Sequence, residues 1–287
     1  MLMVSRLVLA ALLIGAGHLP PSLAAAPSEA VVLAPHRAIY EIALATARSG
    51  AGVSELSGRM VYELTGSACE GYTQNMRFVT RMTNQEGSAS VSDLRSSSWE
   101  DGAGQRLRFE SSHYRDQQLA EQAAGSASRG ATSGEVKAEL TKPTKQQLSL
   151  PAGVLFPVQH SIKMIEAARA GRTAFAADLY DGSEKGDKVY ATNAFIGRRL
   201  APGFSKTLPP VKNGEKLDPL PAWPVSLGYY EDTNDRSDAL PSYELAFVLF
   251  DNGVSHRIFI DYGEFAIRGQ LTELEFLNPR PCDASRR

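Results

Sequence analysis

Apolar residues recur at every second position over most of residues 36–141, and a chain that repeats this pattern so often is committed to a large antiparallel sheet. Ala38, Tyr40, Ile42 and Leu44 alternate with Arg37, Glu41 and small residues. Met60, Tyr62 and Leu64 alternate with Arg59 and Glu63; Met76, Phe78 and Met82 with Arg77 and Arg81; Leu107 and Phe109 with Arg106, Arg108 and Glu110. Successive side chains of a strand point to opposite faces, so each run reads as a strand with one buried face. Gly- and Ser-rich breaks at 48–54, 66–71, 84–90 and 101–104 supply hairpin connections and make the order a meander.

One segment departs from this rhythm. In "FPVQHSIKMIEAARAG", Pro157 suits the first helical position, Val158, Ile162 and Ile165 recur at helical spacing, and Gly171 stands where a C-terminal cap belongs. His160, Lys163 and Glu166 fall toward other faces. The stripe of a lone amphipathic helix is expected on the concave side of a curved sheet. Strands resume at "AFAADLY" and "KVYATNAFIG". Residues 202–224 then hold six prolines in 23 residues, which excludes a central strand and reads as a long surface connection within one domain. Further on, Tyr243, Leu245, Phe247 and Leu249 alternate, Asn252-Gly253 is expected to supply both positive-φ positions of a tight hairpin, and Ile258, Ile260 and Tyr262 return. About a dozen strands in one sheet would leave long exposed edges if the sheet stayed open. The expected fold is therefore mainly β, a large antiparallel sheet curled around one amphipathic helix.

Residues 1–24 read as an export signal: Arg6, an apolar run from Leu7 to about Leu19, then the small residues of "SLAAAPSEA", with cleavage near Ala24. The run is too short to span a bilayer, and no later segment approaches the roughly 20 apolar residues that a membrane helix needs. Residues 25–287 are then a single extracytoplasmic domain. The whole chain has 30 basic and 32 acidic residues, a balance that leaves no electrostatic footprint for nucleic acid. Two cysteines, Cys69 and Cys282, lie 213 positions apart. Outside the cytoplasm such a pair points to a disulfide, which would pin the two ends of the curl together. By the loop-entropy model a closure of this length contributes on the order of 5 kcal/mol.

Catalytic constellations are missing from the sequence. There is no GxSxG, SxxK, HExxH or Gly-rich phosphate loop, and the histidines beyond the signal (His36, His113, His160, His256) have no metal-ligand spacing. Ser255 and His256 are strand neighbours and point apart, so His256 reads as a surface residue. His113 shares the phase of Leu107 and Phe109 and is expected to face inward. Asp181, Gly182, Glu184 and Asp187 in "DGSEKGD" form a carboxylate-rich loop whose simplest reading is a solvated hairpin turn. It is also the surface offered to a partner. No metal or other cofactor is expected.

The blocks "LPAGVLFPVQHSIKMIEAARAG", "LYDGSEKGDKVYATNAFIG", "WPVSLGYYEDT" and "PSYELAFVLFDNGVSHRIFIDYGEFAIRGQLTELEFL", with the two cysteines, resemble the EipB-type cell-envelope integrity proteins, once a domain of unknown function. The resemblance implies a Gram-negative periplasmic protein folded as a β-spiral around one helix, an incomplete barrel distantly similar to lipoprotein carriers. It also implies a Cys69–Cys282 disulfide, a role in envelope integrity without catalysis, and a periplasmic tetratricopeptide-repeat partner.

Three functions follow. The first is non-catalytic support of the envelope through protein contacts. The second is a carrier that shelters a lipid or acyl chain in an apolar cleft lined by Met60, Met76, Phe78, Met82, Phe109, Ile162 and Ile165. The third, the least supported, is an envelope hydrolase using Asp181, Glu184 or Asp187.

Overall fold

The computed structural model describes residues 29–131, 133–231 and 240–279. The signal-peptide reading, most of the acidic stretch 231–238 and Cys282 lie outside these residues. From Val31 onward the chain forms one compact unit.

Eight strands precede the helix: β1 (His36–Ala47), β2 (Glu55–Ser67), β3 (Gly71–Thr83), β4 (Ala89–Glu100), β5 (Arg106–Arg115), β6 (Gln118–Arg129), β7 (Val136–Lys142) and β8 (Gln146–Leu150). After α1 (Pro157–Arg169) come β9 (Ala174–Leu179), β10 (Tyr190–Ile196), β11 (Ala222–Glu231), β12 (Tyr243–Phe250), β13 (Ser255–Asp261) and β14 (Phe265–Phe276). All 14 belong to one sheet ordered β8-β7-β6-β5-β4-β3-β2-β1-β14-β13-β12-β11-β10-β9. The first and last strands are thus neighbours at its centre, and the edges β8 and β9 are consecutive in the chain, joined by α1.

That connection curls the sheet. The segment leading into α1 reaches the free side of β9, where Leu155 N–H donates to Asp178 O at 2.8 Å and Tyr180 N–H donates to Leu155 O at 3.0 Å. The edges approach without closing a barrel. The turn holding Cys69 and the C-terminal strand meet at the centre of the sheet, so a bond there could not pin the ends of the curl, as the sequence reading expected. The ends are held by the linker around α1.

The helix is fastened to the sheet by polar contacts at three levels. No side chain of its own caps the first turn. Instead the buried carboxylate of Glu100 accepts the N–H groups of Val158 at 2.6 Å and Gln159 at 3.0 Å, satisfying donors that every helix N-terminus leaves open. Midway, His160, which lies off the apolar stripe of the helix, is buried all the same. Thr192 Oγ1 donates to Ala177 O at 2.7 Å, so at 2.8 Å it accepts from His160 Nε2–H. Burial lowers the His160 pKa to about 4, which keeps the ring neutral. At the C-terminal end Arg169 forms a two-pronged ion pair with Asp251, at 2.7 and 2.9 Å.

The Pro-rich connection runs only to Pro221, since Trp223 and Pro224 belong to β11. It packs down against the sheet. Lys212 N–H donates to Thr272 O at 2.9 Å, and Leu274 N–H donates to Lys212 O at 3.0 Å; the connection's own Leu208 and Leu217 are buried in the cluster that holds Val248 and Phe250. This cover overturns the surface reading of His256, which is 1% exposed. The ring faces outward from β13, as its phase requires, but lies under the connection. In the β12–β13 hairpin only Gly253 has positive φ, 89°; Asn252 instead accepts the Val254 N–H through its side chain at 3.2 Å. A two-residue turn with both φ values positive occurs at Asp116 and Gln117, 50° and 67°, between β5 and β6.

Candidate functional site

The inner face of the sheet is filled unevenly. α1 packs on the β9–β12 wing, where Val158, Met164, Ile165 and Ala168 join Ala194, Trp223, Val225 and Leu249 in one buried cluster. On the opposite wing β4 presents Ser96 and Ser98 inward, register partners of Met76 and Gln74. Hydroxymethyl groups cannot reach across the curl, and a chamber of about 530 Å³ remains. A cleft of about 300 Å³ runs beside α1. The two share Tyr62, Gln74, Met76, Pro157, Asp181 and Tyr229 as walls, so they lie side by side in the interior. A further pocket of about 440 Å³ meets the chamber at His113. His113 faces inward, its Nε2 2.8 Å from Ser92 Oγ.

The loop between β9 and β10 closes one end of the chamber and is not a solvated turn. Tyr180 is fully buried and donates to Gly186 O at 2.7 Å. Gly182 lies on the Phe109 ring with φ 70°; a Cβ there would sit 2.3 Å from ring atoms. Only glycine fits that approach in that backbone conformation. Asp181 accepts Ser183 N–H at 2.8 Å and lines the chamber, and burial raises its pKa. For Glu184, burial is outweighed by two partners that lower its pKa: Lys188 at 2.8 Å and the Tyr190 hydroxyl, donating at 2.7 Å. Glu184 and Asp187 reach solvent, whereas Gly182 is buried and Asp181 half-buried.

Tyrosines form the facing wall. Tyr229 and Tyr243 stack with ring centroids 4.5 Å apart, and Tyr190 stands edge-on to both at 6.0 and 6.4 Å. Tyr190 is committed to Glu184. The Tyr229 and Tyr243 hydroxyls have no hydrogen-bond partner among the described residues. Burial, then the neighbouring charges including Asp181, raises both phenol pKa values, so each offers an O–H donor to the chamber.

The residues expected in one apolar cleft are divided by the structure. Met60 lines the cleft beside α1, Phe109 the chamber, and Met76 both. Phe78 and Met82 line the further pocket. Ile165 and Ile162 pack into the helix cluster. Among the described residues no group of three or more His, Cys, Asp or Glu could hold a metal, and no helix is long and apolar enough to cross a membrane. Cys69 stands exposed in the β2–β3 turn, its Sγ 3.2 Å from Ser67 Oγ. Sequence reasoning missed the inward serines and the tyrosine wall. Their signal, a strand with serine on its inward phase, carries no apolar alternation.

A family model described as EipB-like matches residues 27–278. The cell envelope integrity protein EipB of Brucella abortus (strain 2308) is 38% identical over 252 residues, covering 88% of this chain and 87% of that protein. A crystal structure of a beta-barrel-like protein of a domain of unknown function, also from Brucella abortus, aligns with a TM-score of 0.79 at 37% identity, covering 87% of this chain and 100% of that one.

Proposed function

The chain belongs to the EipB-like family, and from that premise we propose that it supports the integrity of the cell envelope from the periplasm, as an exported protein without catalysis of its own. The observation that carries this reading is the 38% identity to a cell envelope integrity protein over 252 residues, a length that takes in both wings of the sheet. Deleting the gene is expected to sensitise cells to detergents and cell-wall antibiotics, with rescue by the intact chain. Unchanged sensitivity would overturn it. A periplasmic tetratricopeptide-repeat protein is the partner class this reading carries. The exposed Glu184 and Asp187 are the first positions to substitute in a pull-down from envelope extracts.

A disulfide between Cys69 and Cys282 belongs to the same proposal. Strands β2 and β14 flank β1 and run in the same direction, with His36 paired to Leu64 on one side and Phe276 on the other. Beyond Phe276, Leu277 N–H still bonds Pro35 O at 2.9 Å. The turn after β2 and the tail after β14 therefore leave the sheet side by side. Two strand spacings amount to about 10 Å, and a tail of about six residues can span roughly 20 Å.

The interior space favours a second reading, a carrier for an acyl chain. Met60, Met164, Leu227 and Phe247 line the cleft beside α1, and such walls adapt to varied apolar ligands. Native mass spectrometry of gently purified protein tests it: a bound lipid, or displacement of a fluorescent fatty acid, is expected, and the absence of both would end this reading.

A further inference from the structure

We infer that the chamber under the β9–β10 loop binds an ammonium group carried on an apolar body. The inference rests on the carrier reading only in requiring that a ligand enter the interior space; it then assigns that ligand's head.

Charge decides the sign. Asp181, Glu184, Glu121 and Glu110 line the chamber, and no Lys or Arg is among its described walls. Glu184 is balanced by Lys188, 2.8 Å away. Glu110 is balanced by Lys142, 3.1 Å away. Asp181 and Glu121 have no basic partner among the described residues. A carboxylate or phosphate head would meet like charge beside half-buried Asp181, where repulsion is stronger than in open water. A cation would compensate Asp181, whose burial otherwise disfavours its ionised form.

The tyrosine wall points the same way independently. Stacked Tyr229 and Tyr243 with Tyr190 edge-on give π faces beside Asp181, and aromatic faces joined to a carboxylate are the physical recipe for holding substituted ammonium groups. Their two unpartnered hydroxyls would serve polar groups near the cation. The body has its place as well: across the shared walls at Tyr62, Met76 and Tyr229 the chamber adjoins the cleft lined by Leu227, Leu245, Phe247 and Leu249.

Calorimetric titration of the full mature chain with hexyltrimethylammonium, hexan-1-ol and hexanoate tests the assignment. The cation is expected to bind at least about tenfold more tightly than the alcohol, and hexanoate more weakly than the alcohol. Asp181→Asn should bring the cation down to the level of the alcohol. Glu121→Gln, on a more exposed strand position, should weaken it in the same direction without touching the loop. If the alcohol binds as tightly as the cation, the ammonium assignment fails and the carrier reading stands. If none of the three binds, both fail.

Discussion

The carboxylate of Glu100 accepts the backbone N–H of Val158 at 2.6 Å, from 58 positions earlier in the chain. The helix is thus capped from the sheet, and the contact sets where α1 begins inside the curl. Glu100→Leu would leave two buried helix donors unsatisfied, at roughly 1–3 kcal/mol each. Glu100→Gln keeps one acceptor oxygen and should cost less. Urea denaturation of the two variants checks the order; equal losses would mean that side-chain volume, not acceptance, holds the helix.

Glu100 also sets one part of the pH dependence. Burial, partly offset by its two backbone donors, raises its carboxyl to about 7. Between 4.5 and about 7 the folded state keeps a proton that the unfolded chain has lost, so this contribution is full below 4.5 and fades as the pH rises through 7. His160 and His256 act in the opposite direction. Burial holds both at about 4 against an ordinary 6.5, so their contribution is full above 6.5 and fades as the pH falls toward 4. His36, also lowered by burial, acts with the two histidines, and Asp181, raised by burial, acts with Glu100, so three histidines oppose two carboxyls and the wild type should lose stability on acidification from pH 7 to pH 4.5. Glu100→Gln removes one of the opposing contributions and should steepen that loss, measured by urea midpoints at the two pH values. A shallower loss in the variant would contradict the assignment.

His256 is buried with neither ring nitrogen in a hydrogen bond; the Pro209 carbonyl beside it misses bonding geometry. Its pKa is lowered by burial first and by Arg257 second. A polar ring left unsatisfied under apolar cover is a standing cost. His256→Leu should therefore raise stability by about 1 kcal/mol and reduce the acid sensitivity, both read from thermal melts at pH 7 and pH 5. Destabilisation at both pH values would show that the ring meets a need of the Pro-rich connection.

β1, β2, β3 and β5 are legible because their alternation is a direct print of the half-buried face, and breaks read at 48–54, 66–71 and 84–90 lie where the chain turns between β1, β2, β3 and β4. The helix is legible for the same reason, at its own period. What the sequence conceals is long-range. Glu100 looks like the polar end of a strand until its partner at Val158 is known. His256 looks exposed because the cover over it is a Pro-rich segment more than 30 positions earlier. The candidate site is the least legible part. Asp181 stands in a loop whose composition reads as solvated, while contacts such as Gly182 on the Phe109 ring and the Tyr180 hydroxyl on Gly186 O turn that loop inward.

That contact is itself testable. At Gly182 a methyl group would meet the Phe109 ring at 2.3 Å, in a backbone conformation with φ 70°. Gly182→Ala should destabilise by about 2–4 kcal/mol, combining the left-handed backbone penalty with overpacking. Phe109→Leu makes room at the ring but not in the backbone, so the double variant should recover part of the loss relative to additivity. Strict additivity in thermal and urea melts would show that the loop does not rest on Phe109.

The proposed Cys69–Cys282 bond makes the sharpest demand, because it joins the centre of the sheet to the last residues of the chain. If it forms, Cys69→Ala and Cys282→Ala should lower the melting temperature equally, by an amount corresponding to about 2–5 kcal/mol. Reductant should lower the wild type to the same level and leave both variants where they are. The loss should be felt first where the tail leaves β14 beside Pro35, since that hydrogen bond to Leu277 is the last described contact between the tail and the sheet. Hydrogen exchange at Leu277 would report it. A wild type whose melting temperature ignores reductant would remove the bond and return Cys69 to the status of a surface residue of unassigned role.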